Sequence, residues 1–212
     1  MFTNPLLMYD GESIEYILTV TTPQNVYVND EIDIIINYTK PSYSGQVSII
    51  TDTSEVISSE MRNSYCRIDL KPGVLSAKVF SPGEHTYTIE LEDSSFTTFS
   101  FTASKRPSNI SASCPDSAKP GKDQIITVTV PSNATGMCAV EYSGIGSDNN
   151  IVSEGTATGA VISGKAKIII PSENLPAGRY TASVVYLGDE IYLPSNTVTK
   201  KWEAQKPSAP IS

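Results

Sequence analysis

A chain of 212 residues with 39% hydrophobic and 18% charged side chains can build a packed core and has the size of one large or two ordinary domains. Its net charge of −8 is uneven: residues 1–104 hold 5 basic against 14 acidic side chains, a net of −9, and residues 105–212 a net of +1. Nucleic acid and anionic membrane are poor partners for such a first half. No apolar run reaches the roughly 20 residues that span a bilayer, and Cys66, Cys114 and Cys138 are too few for a disulfide framework.

Residues 1–13 form an expected apolar arm, whose Phe2, Leu6, Leu7, Met8 and Tyr9 need a partner surface. From Ile14 apolar side chains alternate with a period of two, the mark of a half-buried strand. Ile14, Tyr16, Leu18 and Val20 share one face of a first strand; Ile32, Ile34, Ile36 and Tyr38 share a second. Val47 and Ile49 follow, then Cys66, Ile68 and Leu70, then Leu75, Ala77 and Val79. The turn at Pro82 and Gly83 leads to Tyr87, Ile89 and Leu91, and Phe99, Phe101 and Ala103 close a domain at 14–104. Residues 105–108, with Pro107, read as a short, stiff linker.

A second domain, 109–204, repeats the plan with Ile110, Ala112 and Cys114; Ile126 and Val128; Cys138, Val140 and Tyr142; and Ala166, Ile168 and Ile170. Tyr180, Ala182, Val184 and Tyr186 then alternate after the turn at Pro176 and Gly178, and Trp202 lies on the last strand. Residues 205–212 are a tail. About seven short strands per half, with no sustained 3.6-residue period, predict an all-β chain of two tandem immunoglobulin-like β-sandwich domains. Tyr180, two residues after a turn glycine, sits where such sandwiches carry a tyrosine corner. Cys114 and Cys138 could pair, but both lie in apolar runs where a free buried thiol is the commoner outcome.

Little chemistry is visible. His85 is the only histidine, so no multi-histidine metal site can be built, and it reads as a surface or turn residue. Carboxylates cluster at Asp30, Glu31 and Asp33 and at Glu90, Glu92 and Asp93, but at strand ends where charges face water. The loops with Asp148, Asn149 and Asn150 and with Asp189, Glu190 and Tyr192 lack the spacing of a calcium loop. No catalytic residue, metal ligand or cofactor site is therefore assigned; those six loop residues are expected to face outward as contact surfaces.

Residues 128–136, 164–171, 174–181 and 186–195 together resemble a prokaryotic immunoglobulin-like repeat, a module of surface adhesins that also decorates tailed-virus particles. The resemblance implies a non-enzymatic role and carries over no catalytic residue. With Met1 and no export signal in view, the expectation is a structural protein of a tailed-virus particle, most simply a capsid decoration or auxiliary protein located in the virion. Its partners would be capsid or tail subunits, or copies of itself, with weak multivalent glycan or host-surface contact. The alternative is a two-repeat segment of a prokaryotic cell-surface adhesin.

Overall fold

The computed structural model describes residues 4–9, 12–76 and 80–206, with side chains from Glu15 onward. The chain divides into two compact units, Met1–Lys105 and Arg106–Ser212. In chain order the first unit holds β1 (Asn4–Tyr9), β2 (Glu12–Tyr16), β3 (Leu18–Thr21), β4 (Asn25–Tyr27), β5 (Ile32–Tyr38), β6 (Gly45–Ile50), β7 (Val56–Met61), β8 (Tyr65–Leu70), β9 (Gly83–Leu91) and β10 (Phe96–Ser104). Strands β3, β5 and β8 make one sheet, and β4, β10, β9, β6 and β7, in that spatial order, make the other. Inward side chains of both fill the core: Ile32, Ile34 and Ile36 from one sheet, Val47, Ile49, Tyr87, Ile89 and Phe101 from the other. At ~1.5–3 kcal/mol per fully buried aliphatic or aromatic side chain, these alternating positions hold the layers together.

Two features differ from the expectation drawn from alternation. The run from Ile14 to Val20 is not one strand. It breaks at Ile17, whose N–H donates to Thr39 Oγ1 at 2.6 Å while the Thr39 N–H returns to the Ile17 carbonyl at 3.0 Å. Ahead of the break, β2 pairs with β1 as a hairpin, so the expected arm is a two-stranded ribbon. Phe2 lies outside the described residues, and Leu6, Leu7, Met8 and Tyr9 all fall on β1. The second difference is β7, where the alternation is polar: Val56, Ser58 and Glu60 are exposed and only Met61 is fully buried. Of the strand expected at 75–79, Leu75 forms an isolated bridge with Pro72, and residues 77–79 lie outside the described set.

The second unit holds β11 (Ser111–Ser113), β12 (Ser117–Ala118), β13 (Gln124–Thr129), β14 (Met137–Ile145), β15 (Ile151–Ile162), β16 (Lys165–Ile170), β17 (Gly178–Tyr186) and β18 (Val198–Ala204), with a 3-10 turn at Ser172–Asn174. Their order is β11-β13-β16-β15-β14-β17-β18-β12. Both outer positions belong to the first stretch of the unit, which crosses from one sheet to the other; this leaves only short edges. Strand β15 closes the opposite side, pairing with β14 along most of its length and with β16 through Val161 and Ile162. Ile126, Val128, Val140, Ile168, Ile170, Val184 and Tyr186 are fully buried between the layers. All three cysteines are free, and burial pushes the Cys138 thiol up to about 11, away from reactivity.

The same two-residue turn joins β7 to β8 in the first unit and β15 to β16 in the second. Asn63 and Ser64 have φ of 49° and 66°; Ser163 and Gly164 have 49° and 74°. Two left-handed residues in a two-residue loop are the hairpin geometry whose twist matches the strands.

In each unit a strand of the entering stretch also runs parallel to the last strand. Strand β4 runs parallel to β10, with Asn25 opposite Thr102 and Tyr27 opposite Ser104. Strand β12 runs parallel to β18, with Ser117 opposite Glu203 and Ala118 opposite Ala204. A strand of the entering stretch that runs parallel to the last strand carries the chain from one end of the sandwich, here the leading pole, toward the other, the trailing pole, where the last strand ends.

Candidate functional site

The two loops expected to face outward lie at opposite ends of the second unit. Along β14 and β17, Cys138 is opposite Tyr186 and Ile145 is opposite Arg179. Seven register steps at ~3.4 Å put about 24 Å between the loop that follows Ile145 and the loop that follows Tyr186. At the trailing pole, Asp148, Asn149 and Asn150 are exposed. Asp148 accepts from the Asn150 N–H at 3.1 Å and its Nδ2 at 2.9 Å, and these bonds hold its carboxyl below the usual range. Asn149 Oδ1 accepts from Arg179 at 3.3 Å.

At the leading pole the loop turns inward. Tyr192 is 9% exposed and its hydroxyl donates to Asn133 Oδ1 at 2.7 Å. Asp189 Oδ1 accepts from the N–H groups of Ile191 at 2.8 Å and Tyr192 at 2.7 Å. Its Oδ2 accepts from the Thr135 N–H at 2.7 Å and from the Thr135 hydroxyl at 3.1 Å. Burial works to raise its pKa, but the N–H groups of Thr135, Tyr192 and Ile191 outweigh that and hold it at about 2. Of the three residues, only Glu190 is exposed. Gly136 is required beside this latch: its φ is +81°, and a Cβ would meet the Gly188 carbonyl at 2.7 Å.

The residues read as linker are fastened to the same loop. The Arg106 N–H donates to the Ile191 carbonyl at 2.7 Å, the Leu193 N–H to the Arg106 carbonyl at 2.8 Å, and Ser108 Oγ to the Leu193 carbonyl at 2.7 Å. In the first unit an ion pair does the work of Asp189. Lys40 Nζ meets Asp93 Oδ2 at 2.9 Å, and the Tyr38 hydroxyl lies 2.8 Å from Ser95 Oγ. Burial opposes the Asp93 charge, but Lys40 and the Ser95 hydrogen bonds outweigh it and keep that carboxyl low. Tyr16 packs edge-on against Tyr38, with ring centroids 6.0 Å apart, and so ties β2 to the pole.

His85, the one candidate for chemistry, is a corner residue. Tyr180 makes the expected tyrosine corner: its hydroxyl donates to the Pro176 carbonyl four residues back at 2.8 Å, and its ring stacks on Trp202 at 5.2 Å. In the first unit His85 sits opposite Phe101 as Tyr180 sits opposite Trp202. Its Nε2 lies 2.7 Å from the Ser81 carbonyl, again four residues back, and its ring stacks on Phe101 at 5.2 Å. Nδ1 lies 2.7 Å from Asp52 Oδ2. Both ring nitrogens therefore face acceptor oxygens of the unit's own loops. At 4% exposure the imidazole has no open side for a substrate.

The sequence carboxylate clusters disperse. Asp33 pairs with Arg67 at 2.9 Å, Glu31 with Lys71 at 3.3 Å, and Asp30 accepts from the Tyr27 N–H at 3.1 Å. Among the described residues no three His, Cys, Asp or Glu side chains gather as a metal would need, and no helix is long and apolar enough to cross a membrane. Sequence reasoning missed the roles of His85 and Asp189. The available signal was the matched spacing of Gly83 to His85 and Gly178 to Tyr180.

No family model matches the chain, and no curated protein matches it. Among solved structures it is similar to a tetra-tandem repeat from the extending region of a large adhesion protein, at 14% identity and a TM-score of 0.46, covering 94% of this chain and 54% of that one. It thus spans about half the length of that solved chain. It is also similar to red sea bream transglutaminase, at 12% identity, TM-score 0.37, and 90% and 31% coverage. A third is the human OSCAR ligand-binding domain, at 9% identity, TM-score 0.29, and 89% and 94% coverage.

Proposed function

We propose that this chain is a non-enzymatic, tension-bearing segment of a cell-surface adhesive protein, holding binding surfaces away from their anchor. The observation that carries the reading is that, in both units, a strand of the entering stretch pairs in parallel with the last strand, β4 with β10 and β12 with β18. A pull applied between the two ends of either unit loads the β4–β10 or β12–β18 hydrogen bonds in shear, so they must break together. Antiparallel peeling would break them singly. The rungs run from Thr102 N–H to the Gln24 carbonyl through Val28 N–H to the Ser104 carbonyl in the first unit. In the second they run from Glu203 N–H to the Asp116 carbonyl through Gln205 N–H to the Ala118 carbonyl.

The absence of enzymatic activity is part of the proposal. It is supported by the commitment of His85, Asp189 and Asp93 to structural bonds within their own units. A capsid decoration or auxiliary protein of a tailed-virus particle would use the same modules, but no feature of the folded units favours it, and we rank it second. Antibodies against the chain, applied to intact cells of its source and to purified particles, separate the two. Labelling of intact cells, lost on protease shaving, is the expected result. Recovery only with particles would overturn the proposal.

A further inference from the structure

We propose that β15 is a self-recognition edge: two copies of the chain pair their second units antiparallel along this strand, about a two-fold axis at Gly155. The choice of partner deepens the adhesive reading and rests on it for its purpose, while the pairing stands on its own geometry. At 12 residues β15 is the longest strand of the second unit. The Val161 N–H donates to the Gly136 carbonyl at 2.9 Å. Between Ala160 and Ser153 the β14–β15 register is unbroken, so the odd-numbered residues of this stretch turn their backbone groups to β14. Glu154, Thr156 and Thr158 turn theirs the other way. On that side β16 meets β15 only at Val161 and Ile162, and residues 153–158 present an open edge.

The usual guards against edge pairing are missing here. The outer strands β11 and β12 are kept to three and two residues. Residues 153–158 instead hold one charge, Glu154, with no lysine and no proline. Strand β7, which enters the same turn in the first unit, is guarded by an exposed ion pair, Arg62 to Glu60 at 2.7 Å. Charge selects the second unit as well: residues 1–104 carry a net of −9 and repel their own kind, whereas residues 105–212 carry +1.

The edge is its own complement in one register. With the axis at Gly155, Glu154 of each copy lies opposite Thr156 of the other, a carboxylate against a hydroxyl donor. An axis at Glu154 would set two carboxylates face to face. An axis at Thr156 would bring Ile151 of the second copy against Val161, where β16 already holds the edge. The side chains flanking the axis are small, so the two strands can reach hydrogen-bonding distance, and the contact is isologous. One strand a side is a small area, which places the pair among weak interfaces that act through many copies. Strand β15 runs between the trailing and leading poles, so antiparallel pairing points the two copies in opposite directions. Chains rooted in one surface point the same way; this pair therefore joins chains from two facing surfaces.

Sedimentation of the full 212-residue chain over a range of concentrations tests the pairing, and a reversible dimer is expected. Thr156→Pro removes an outward N–H at the centre of the edge, where a strand tolerates proline, and should weaken the dimer at least tenfold with an unchanged circular dichroism spectrum. Ser58→Pro on β7 should leave the dimer in place. Opposed residues of a hydrogen-bonded antiparallel pair stand ~5.5 Å apart at Cα, within reach of a disulfide. A mixture of Glu154→Cys and Thr156→Cys chains should therefore cross-link far more than either variant alone. A chain that stays monomeric to ~1 mM, a dimer untouched by Thr156→Pro, a dimer lost with Ser58→Pro, or no excess of cross-linking in the mixture would each overturn the pairing. Beads carrying the chain by its C-terminal end should clump, and should cease to with Thr156→Pro. If the dimer meets every solution test while the beads stay dispersed, the pairing stands and its adhesive purpose fails.

Discussion

Asp189 and His85 are the side chains whose sequence reading and structural role diverge most, and each yields a direct prediction. Asp189 titrates at about 2 in the fold and near 3.9 in an unfolded chain. A depressed folded pKa adds stability that is complete above the unfolded value and is lost as pH falls through the folded one. The second unit should therefore lose ~2 kcal/mol between about pH 5 and pH 2, and Asp189→Asn should remove most of that slope. Thermal melts across that range read it; a wild-type slope surviving in the variant would contradict the latch. His85→Ala deletes two hydrogen bonds and a ring stack, and should lower the first unit's stability by ~2–4 kcal/mol while leaving the second unit's transition in place. Calorimetry resolving the two transitions checks this. Tyr180 was legible because a tyrosine two residues after a turn glycine has few other uses. Its counterpart was hidden because imidazole makes the same bond with a different atom. Asp189 read as an outward charge because sequence cannot reveal which N–H groups a loop folds back to present.

Alternation fixed most strands, including β16 and β17, because the period of two follows directly from one face being buried. It could not fix sheet membership. A strand that breaks at Ile17 and changes partner keeps the same period on both sides of the break. Nor could it find β7, whose inward positions include Ser59, nor the hairpin of β1 and β2, whose pairing is local. The turn shared by β7–β8 and β15–β16 was equally silent, since Asn63-Ser64 and Ser163-Gly164 match in backbone and not in residue. Gly164→Ala should therefore cost ~1–3 kcal/mol: it forces a Cβ into the left-handed region at φ 74° and to 3.0 Å from Ser132 Cα. Denaturant unfolding of the second unit measures it, and a neutral result would place the turn in another geometry.

Taken whole, the chain builds one design twice with different residues. An inward-turned Asp189 in one unit and a Lys40–Asp93 pair in the other lock the leading pole; Tyr180 and His85 lock the corner near the trailing pole. The parallel pairs β4–β10 and β12–β18 join the entering stretch of each unit to its last strand. His85, Asp189 and Asp93, residue types used elsewhere for catalysis or metal binding, serve these locks, which is why the functional proposal rests on topology. Single-molecule stretching of the second unit tests that claim most directly, because forced unfolding reports the barrier itself. Handles on residues 106 and 206 load the β12–β18 bonds in shear, while handles on residues 149 and 206, both at the trailing pole, peel β18 away rung by rung. A clearly higher rupture force for the first geometry is the predicted result; equal or lower force would contradict a tension-bearing role.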